Sequence, residues 1–231
     1  MAFEILKPEW GAGRPIRGVL FDMDGLVLDS EILYSRFWRA ACAHFGFDMS
    51  YDESLKMRSL GRELGEQTIQ GFFGPTANYD AIRTKRIELM NAYIAREGIA
   101  PKPGIFRLMA FLKEQGIRAA ITSSAPIDRI RHHLAPHGLD TAFDALCSGW
   151  EVKRGKPEPD IYLQGAAVLG LDPGECLALE DSPAGLLSAY RAGCLSVMIP
   201  DLDAPDETTL PLLYARADSL SDIIDLIHTH S

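Results

Sequence analysis

Five short apolar runs recur along the chain, and each stops abruptly at polar residues. Ile16 to Phe21 runs into Asp22-Met23-Asp24-Gly25, and Ile117 to Ile121 runs into Thr122-Ser123-Ser124. Phe143 to Leu146 gives way to Cys147-Ser148-Gly149, Cys176 to Leu179 to Glu180-Asp181-Ser182, and Leu195 to Ile199 to Pro200-Asp201. Such runs are the pattern of parallel strands buried on both faces. Between them, residues 104–116, 126–138, 160–170 and 183–193 space their apolar positions as helices do. Each segment closes on a glycine suited to a helix C-cap. Strands and helices in alternation predict an α/β fold on a doubly wound parallel sheet. Ligands of such sheets bind beyond the carboxyl ends of the strands, where all of these polar clusters fall.

Residues 31–99 break the alternation. Segments 31–44, 51–60, 64–73 and 80–96 read as amphipathic helices with no strand between them. They predict an all-helical insert after the first strand, with a return to the sheet near Pro101-Lys102-Pro103-Gly104. The expected division is a core of residues 1–30 and 100–231 and a helical domain of residues 31–99. A length of 231 residues suits one main domain carrying a smaller insert. Trp38, Phe45, Phe72 and Phe73 are expected in the core of that insert. Residues 200–211, rich in Asp, Pro and Thr, predict a surface loop, and 219–228 a last short helix.

Composition narrows the partners. With 47% hydrophobic and 24% charged residues, the chain has the makings of a packed globular core. A net charge of -9 argues against nucleic acid or an anionic membrane as partner, yet leaves room for a small anionic substrate at a local positive site. Cys42, Cys147, Cys176 and Cys194 form no CxxC pair and read as buried thiols of a reducing compartment. No signal peptide or membrane span is evident, so the cytoplasm is the expected location, with the protein a monomer or weak dimer.

The chemistry gathers at the strand ends. Asp22 and Asp24, two residues apart, read either as an ordinary Asp-Gly turn or as a working pair of carboxylates. A working pair binds a hard divalent cation such as Mg²⁺, or divides into nucleophile and general acid. Thr122 and Ser123 offer hydroxyl and backbone donors to an anion ahead of a helix. Lys156 offers a point positive charge, and Glu180 and Asp181 further carboxylate oxygens for the metal. By contrast, His132 and His133, beside Arg129 and Arg131, are expected on a solvated basic face.

These clusters, in this order, resemble the motifs of the haloacid dehalogenase-like superfamily. Phe21-Asp22-Met23-Asp24-Gly25-Leu26-Val27-Leu28-Asp29-Ser30-Glu31 looks like the first motif, and Ile121-Thr122-Ser123-Ser124 is similar to the second. Gly155-Lys156-Pro157 matches the third, and Leu179-Glu180-Asp181-Ser182-Pro183-Ala184-Gly185 the fourth. More narrowly, the chain resembles the β-phosphoglucomutase and sugar-phosphate phosphatase branch, in which the helical insert is a cap. The resemblance implies a Mg²⁺-dependent phosphatase of a small phosphorylated metabolite. Asp22 would attack phosphorus and become transiently phosphorylated. Asp24 would protonate the leaving oxygen and later deprotonate water. Thr122, the Ser123 backbone and Lys156 would hold the transferring group. Asp22, the Asp24 carbonyl and Asp181 would bind the metal, with Glu180 close by.

Dehalogenases and phosphonate-cleaving relatives lack an aspartate at the position of Asp24, so the resemblance disfavours both reactions. A phosphomutase is the alternative. That branch carries a cap histidine where this chain has Tyr34, and cap cations for which Arg62 and Lys85 or Arg86 are candidates through an imperfect match at Leu60-Gly61-Arg62-Glu63-Leu64-Gly65. Losing the histidine favours the hydrolase. A non-enzymatic binding module would be expected to have lost Asp22, Asp24, Lys156 or Asp181, and all four are present.

Overall fold

The computed structural model describes residues 2–57, 60, 62–202 and 204–230. In chain order, β1 (Phe3–Ile5) and α1 (Pro8–Gly11) precede β2 (Gly18–Phe21), and α2 (Glu31–His44), α3 (Tyr51–Leu55), α4 (Arg62–Phe73) and α5 (Tyr79–Glu97) follow. Then come α6 (Ile105–Glu114), β3 (Arg118–Ser123), α7 (Ile127–Leu134), β4 (Ala145–Ser148), α8 (Asp160–Val168) and β5 (Cys176–Glu180). The chain ends with α9 (Pro183–Ala192), β6 (Leu195–Met198), β7 (Ala215–Ala217) and α10 (Asp222–His230). By its contacts it divides into two compact units, residues 1–28 with 100–231, and residues 29–99.

The larger unit holds a sheet in the order β1-β7-β6-β5-β2-β3-β4. The five expected strands are β2 to β6, parallel throughout. Two short strands at one side of the sheet, the edge strand β1 and its neighbour β7, were not expected. β1 pairs antiparallel with β7, so the sheet is mixed at one edge rather than wholly parallel. Three residues are too few to display an alternation, which is why neither strand stands out in the sequence. The second expected strand also runs further than its apolar run. Thr122 and Ser123 belong to β3 because they pair with Cys147 and Ser148 of β4.

Register explains the core. Leu20 lies opposite Ala120 and Ala178 on its two neighbours. These three join Ile161, Tyr162 and Ala166 of α8 and Ala189 of α9 in one buried cluster. Small alanines on the strands leave room for the larger side chains of the helices. Gly116, Gly170 and Gly193 carry positive φ within two residues of their helix ends, and Gly138 does so after the single 3-10 turn Ala135–His137 that follows α7.

The smaller unit is wholly helical among its described residues. Trp38, Ala41, Cys42, Ile69, Tyr79 and Ile82 form its core, with Phe72 and Phe73 packed against it. Phe45 departs from expectation. It follows the end of α2, is 43% exposed and meets the His44 ring edge-on. Within segment 51–60, α3 covers Tyr51–Leu55, opened by a reciprocal Ser50–Glu53 capping box. Arg58, Ser59 and Gly61 lie outside the described residues, and with them part of the match around residues 60–65. Among the described residues, no helix is long and apolar enough to cross a membrane.

Candidate active site

β2 is a central strand, flanked by β3 and β5, and its register fixes what meets at its end. Phe21 lies opposite Ile121 on one side and Leu179 on the other. One residue further along each chain are Asp22, Thr122 and Glu180. The Asp22 N–H still donates to Leu179 O at 3.1 Å, which extends the ladder to the carboxylate. Beyond it the chain turns sharply. Gly25 takes φ of 84°, and Val27 and Leu28 donate back to Met23 O, so residues 23–28 form a tight loop under Asp24. The Thr122 hydroxyl donates to Phe21 O at 3.2 Å, tying the second motif to the first.

Lys156 reaches this point from the loop after β4, and its side chain is 7% exposed. Its ammonium donates to Asp22 Oδ1 and to Glu180 Oε1, each at 2.5 Å. Glu180 also accepts from Tyr162 Oη at 2.5 Å and, through Oε2, from Ser182 Oγ at 3.0 Å. The Ser182 hydroxyl in turn accepts from the Gly185 N–H and caps α9. Glu180 is thus held by three donors and holds the lysine against Asp22.

Burial dominates the electrostatics. Desolvation raises the Asp22 carboxyl to about 7, against the pull of Lys156 and with help from Glu180 and Asp24. Burial also works against the charge on Lys156, but Asp22 and Glu180 outweigh it and hold the ammonium above its usual range. Charge remains unbalanced here. Asp22, Glu180 and Asp181 bring carboxylate oxygens within 4.8 Å of one another, all three residues are buried, and Lys156 supplies one positive charge. A compact set of hard oxygen donors with excess negative charge fits a divalent cation such as Mg²⁺. The Asp24 carboxylate lies outside this cluster; its expected link to a metal runs through the backbone carbonyl.

Asp22, Thr122, Lys156, Glu180 and Asp181 therefore converge. Ser123 is buried beside them in β3, and its hydroxyl accepts from the Ala125 N–H at 3.1 Å, starting the turn into α7. Two residues of this neighbourhood escaped the sequence reading. Tyr162 sits on α8 at an apolar helical position, where its hydroxyl gives no sign of its partner. Arg129, expected only as part of a solvated face, also reaches the site: its guanidinium lies 3.6 Å from Asp24 Oδ1. His133, one turn further on α7, is buried, which corrects the expectation of an exposed histidine; His132 is exposed as expected. All four cysteines are free and buried.

In the helical unit, the candidate cations differ sharply. Arg62 pairs with Asp80 at the surface, and Lys85 with Glu88 at 2.9 Å. Arg86 instead lies against the Tyr34 and Trp38 rings, 5.1 and 5.2 Å from their centroids.

Comparison with known proteins agrees with this geometry. The profile of haloacid dehalogenase-like hydrolases matches residues 16–193. Hexitol phosphatase A of Escherichia coli K12 is 36% identical over 195 residues, covering 83% of this chain and 85% of the relative. Hexitol phosphatase B of the same strain is 32% identical over 221 residues, covering 91% and 95%. Among solved structures, CbbY of Rhodobacter sphaeroides in complex with xylulose 1,5-bisphosphate superposes with a TM-score of 0.66 at 27% identity, over 90% of this chain and 96% of that one. The profile match spans all four motifs, from the strand before Asp22 to the helix after Asp181, and the chain belongs to the haloacid dehalogenase-like hydrolases.

Proposed function

We propose that the chain is a Mg²⁺-dependent phosphatase of small phosphomonoesters, with a hexitol or sugar phosphate as substrate and Asp22 as nucleophile. The observation that carries this reading is the contact of Lys156 with Asp22 at 2.5 Å, at the level where Thr122 lies near the end of β3 and Glu180 ends β5. An Asp22 oxygen attacks phosphorus, an acyl phosphate forms, and the ester P–O bond breaks. Asp24 gives its proton to the departing oxygen. Asp24 then takes a proton from water, whose oxygen attacks phosphorus and releases orthophosphate and the Asp22 carboxylate. Thr122, the Ser123 backbone and Lys156 hold the transferring group. Asp22 and Asp181, with the Asp24 carbonyl, would hold the metal, and Glu180 keeps Lys156 in place beside them. Magnesium, when bound, supplies neutralisation of the charge on the transferring phosphoryl group.

The division of labour between a core of residues 1–30 and 100–231 and a cap of residues 31–99 is part of the same reading, supported by the two compact units. So are a cytoplasmic location and a monomer or weak dimer. The substrate class rests on the two hexitol phosphatases and on the sugar bisphosphate bound by CbbY.

The test is direct. With Mg²⁺ and no bisphosphate activator, the purified protein should release inorganic phosphate from hexitol phosphates. A phosphomutase would instead convert β-glucose 1-phosphate to glucose 6-phosphate, respond to a bisphosphate and release little phosphate. Phosphorus NMR separates the two, and glucose 6-phosphate accumulating ahead of orthophosphate would overturn the hydrolase.

A further inference from the structure

We propose that Arg129 is a positioning residue for Asp24: its guanidinium fixes the carboxylate by Oδ1 and leaves Oδ2 to exchange the proton. The inference rests on the reading of Asp24 as general acid and base.

Three observations support it. Arg129 Nη2 lies 3.6 Å from Asp24 Oδ1, a charge contact just beyond hydrogen-bond reach. Asp24 Oδ1 is buried and has no hydrogen-bond partner, so the guanidinium is what faces it. The helix that carries Arg129 is itself fixed to the site. α7 starts four residues after Ser123, and Ala125 between them donates to Ser123 Oγ and accepts from Ser148 Oγ at 2.7 Å. Strand ends that hold the transferring group thereby also set the position of Arg129.

The same helix presents His133 to this region, one turn beyond Arg129. Burial, and next the charge of Arg129, hold its imidazole below the ordinary histidine range. The charge contact that α7 makes with Asp24 is that of Arg129. A charge contact at Oδ1 orients the carboxylate and leaves the second oxygen to the reaction. An exposed ion pair would contribute little, but Arg129 and Asp24 have side chains 37% and 25% exposed, and orientation rather than stability is at issue.

In the reaction, the proton on Asp24 Oδ2 passes to the departing ester oxygen as its bond to phosphorus breaks. Oδ2 later receives the proton of the attacking water. Arg129 neither donates nor accepts a proton in either step. Its removal should act on the part of the reaction that needs Asp24 well aimed, which is protonation of a poor leaving group.

Turnover of Arg129→Met, Arg129→Lys, Asp24→Asn and the Asp24→Asn/Arg129→Met double variant should be measured on a hexitol phosphate and on p-nitrophenyl phosphate. Arg129→Met should lower kcat on the hexitol ester by about tenfold or more, the scale of a misplaced reacting group, with KM within about twofold. Its loss on the aryl ester should be clearly smaller, and Arg129→Lys should recover most of the activity. The double variant should be no slower than Asp24→Asn alone, because both changes remove one function. Additive losses, equal losses on the two esters, or a rise in KM alone would overturn the inference. Failure of the underlying reading is separately visible: Asp24→Asn alone would then lose equally on both esters, and the inference would fall with it.

Discussion

Lys156 is shared between two buried carboxylates, so removing it strands both. Lys156→Ala should abolish turnover and cost about 3–5 kcal/mol of stability, the scale for breaking a buried ion pair from one side. Denaturant unfolding of the variant measures the second effect. Asp22→Asn keeps the shape but removes the anion proposed to attack phosphorus; phosphate release should be lost while folding persists. Asp22 also gives a signed pH dependence. Its carboxyl is raised to about 7 in the fold, against about 4 in an unfolded chain. Across that window the native state holds the extra proton, so this group's contribution to stability falls as pH rises. His133, displaced downward, acts in the opposite sense but is common to both proteins. In metal-chelated buffer, the Tm of wild type minus that of Asp22→Asn should therefore decline from about pH 5 to about pH 7. A flat difference would show that Asp22 is already ionised at acid pH.

Helices α8 and α9 bring partners to the strand ends by being narrow where they pass them. A Cβ at Gly185 would lie 1.9 Å from the Glu180 carboxyl, and one at Gly165 would lie 2.7 Å from the Thr122 methyl. Gly185→Ala should thus expel Glu180 from its contacts with Lys156 and Tyr162. A loss of about a hundredfold in kcat is expected for a misplacement of this kind. Tyr162→Phe is the milder probe. It keeps the ring that lies 5.1 Å from the lysine ammonium but removes one donor to Glu180. Its cost should be about 1–2 kcal/mol in chemical denaturation. These contacts mark the limit of what the sequence made legible. Asp22, Thr122 and Asp181 stood out because polar residues closing apolar runs are conspicuous, and Lys156 through the Gly155-Lys156-Pro157 motif. Tyr162 and Arg129 sit within helical periodicity, where their spacing is equally that of a packed or solvated face. Only the pairing of β3 with β4, and the seating of α7 and α8, turns them towards the site.

At the scale of the whole chain, the alternation of strand and helix was readable because each parallel strand is buried along its length. The insert was readable as helices, and α2, α4 and α5 end within a residue of where the pattern places them, but α3 stops at Leu55 through a local turn that no apolar position announces. The sheet edge was also missed, and it has a consequence of its own. β1 covers β7, a strand whose other side is already paired with β6, through a register from Phe3 opposite Ala217 to Ile5 opposite Ala215. Leu6 and Lys7 continue the contact by donating to Tyr214 O. Deleting residues 1–7 would uncover the N–H and C=O groups of β7 while leaving the strand ends around Asp22 intact. A bare sheet edge is a template for intermolecular pairing. The shortened protein should retain turnover per molecule when freshly diluted, yet aggregate on concentration, with light scattering that rises with protein concentration and is suppressed by a lysine placed at Ala217.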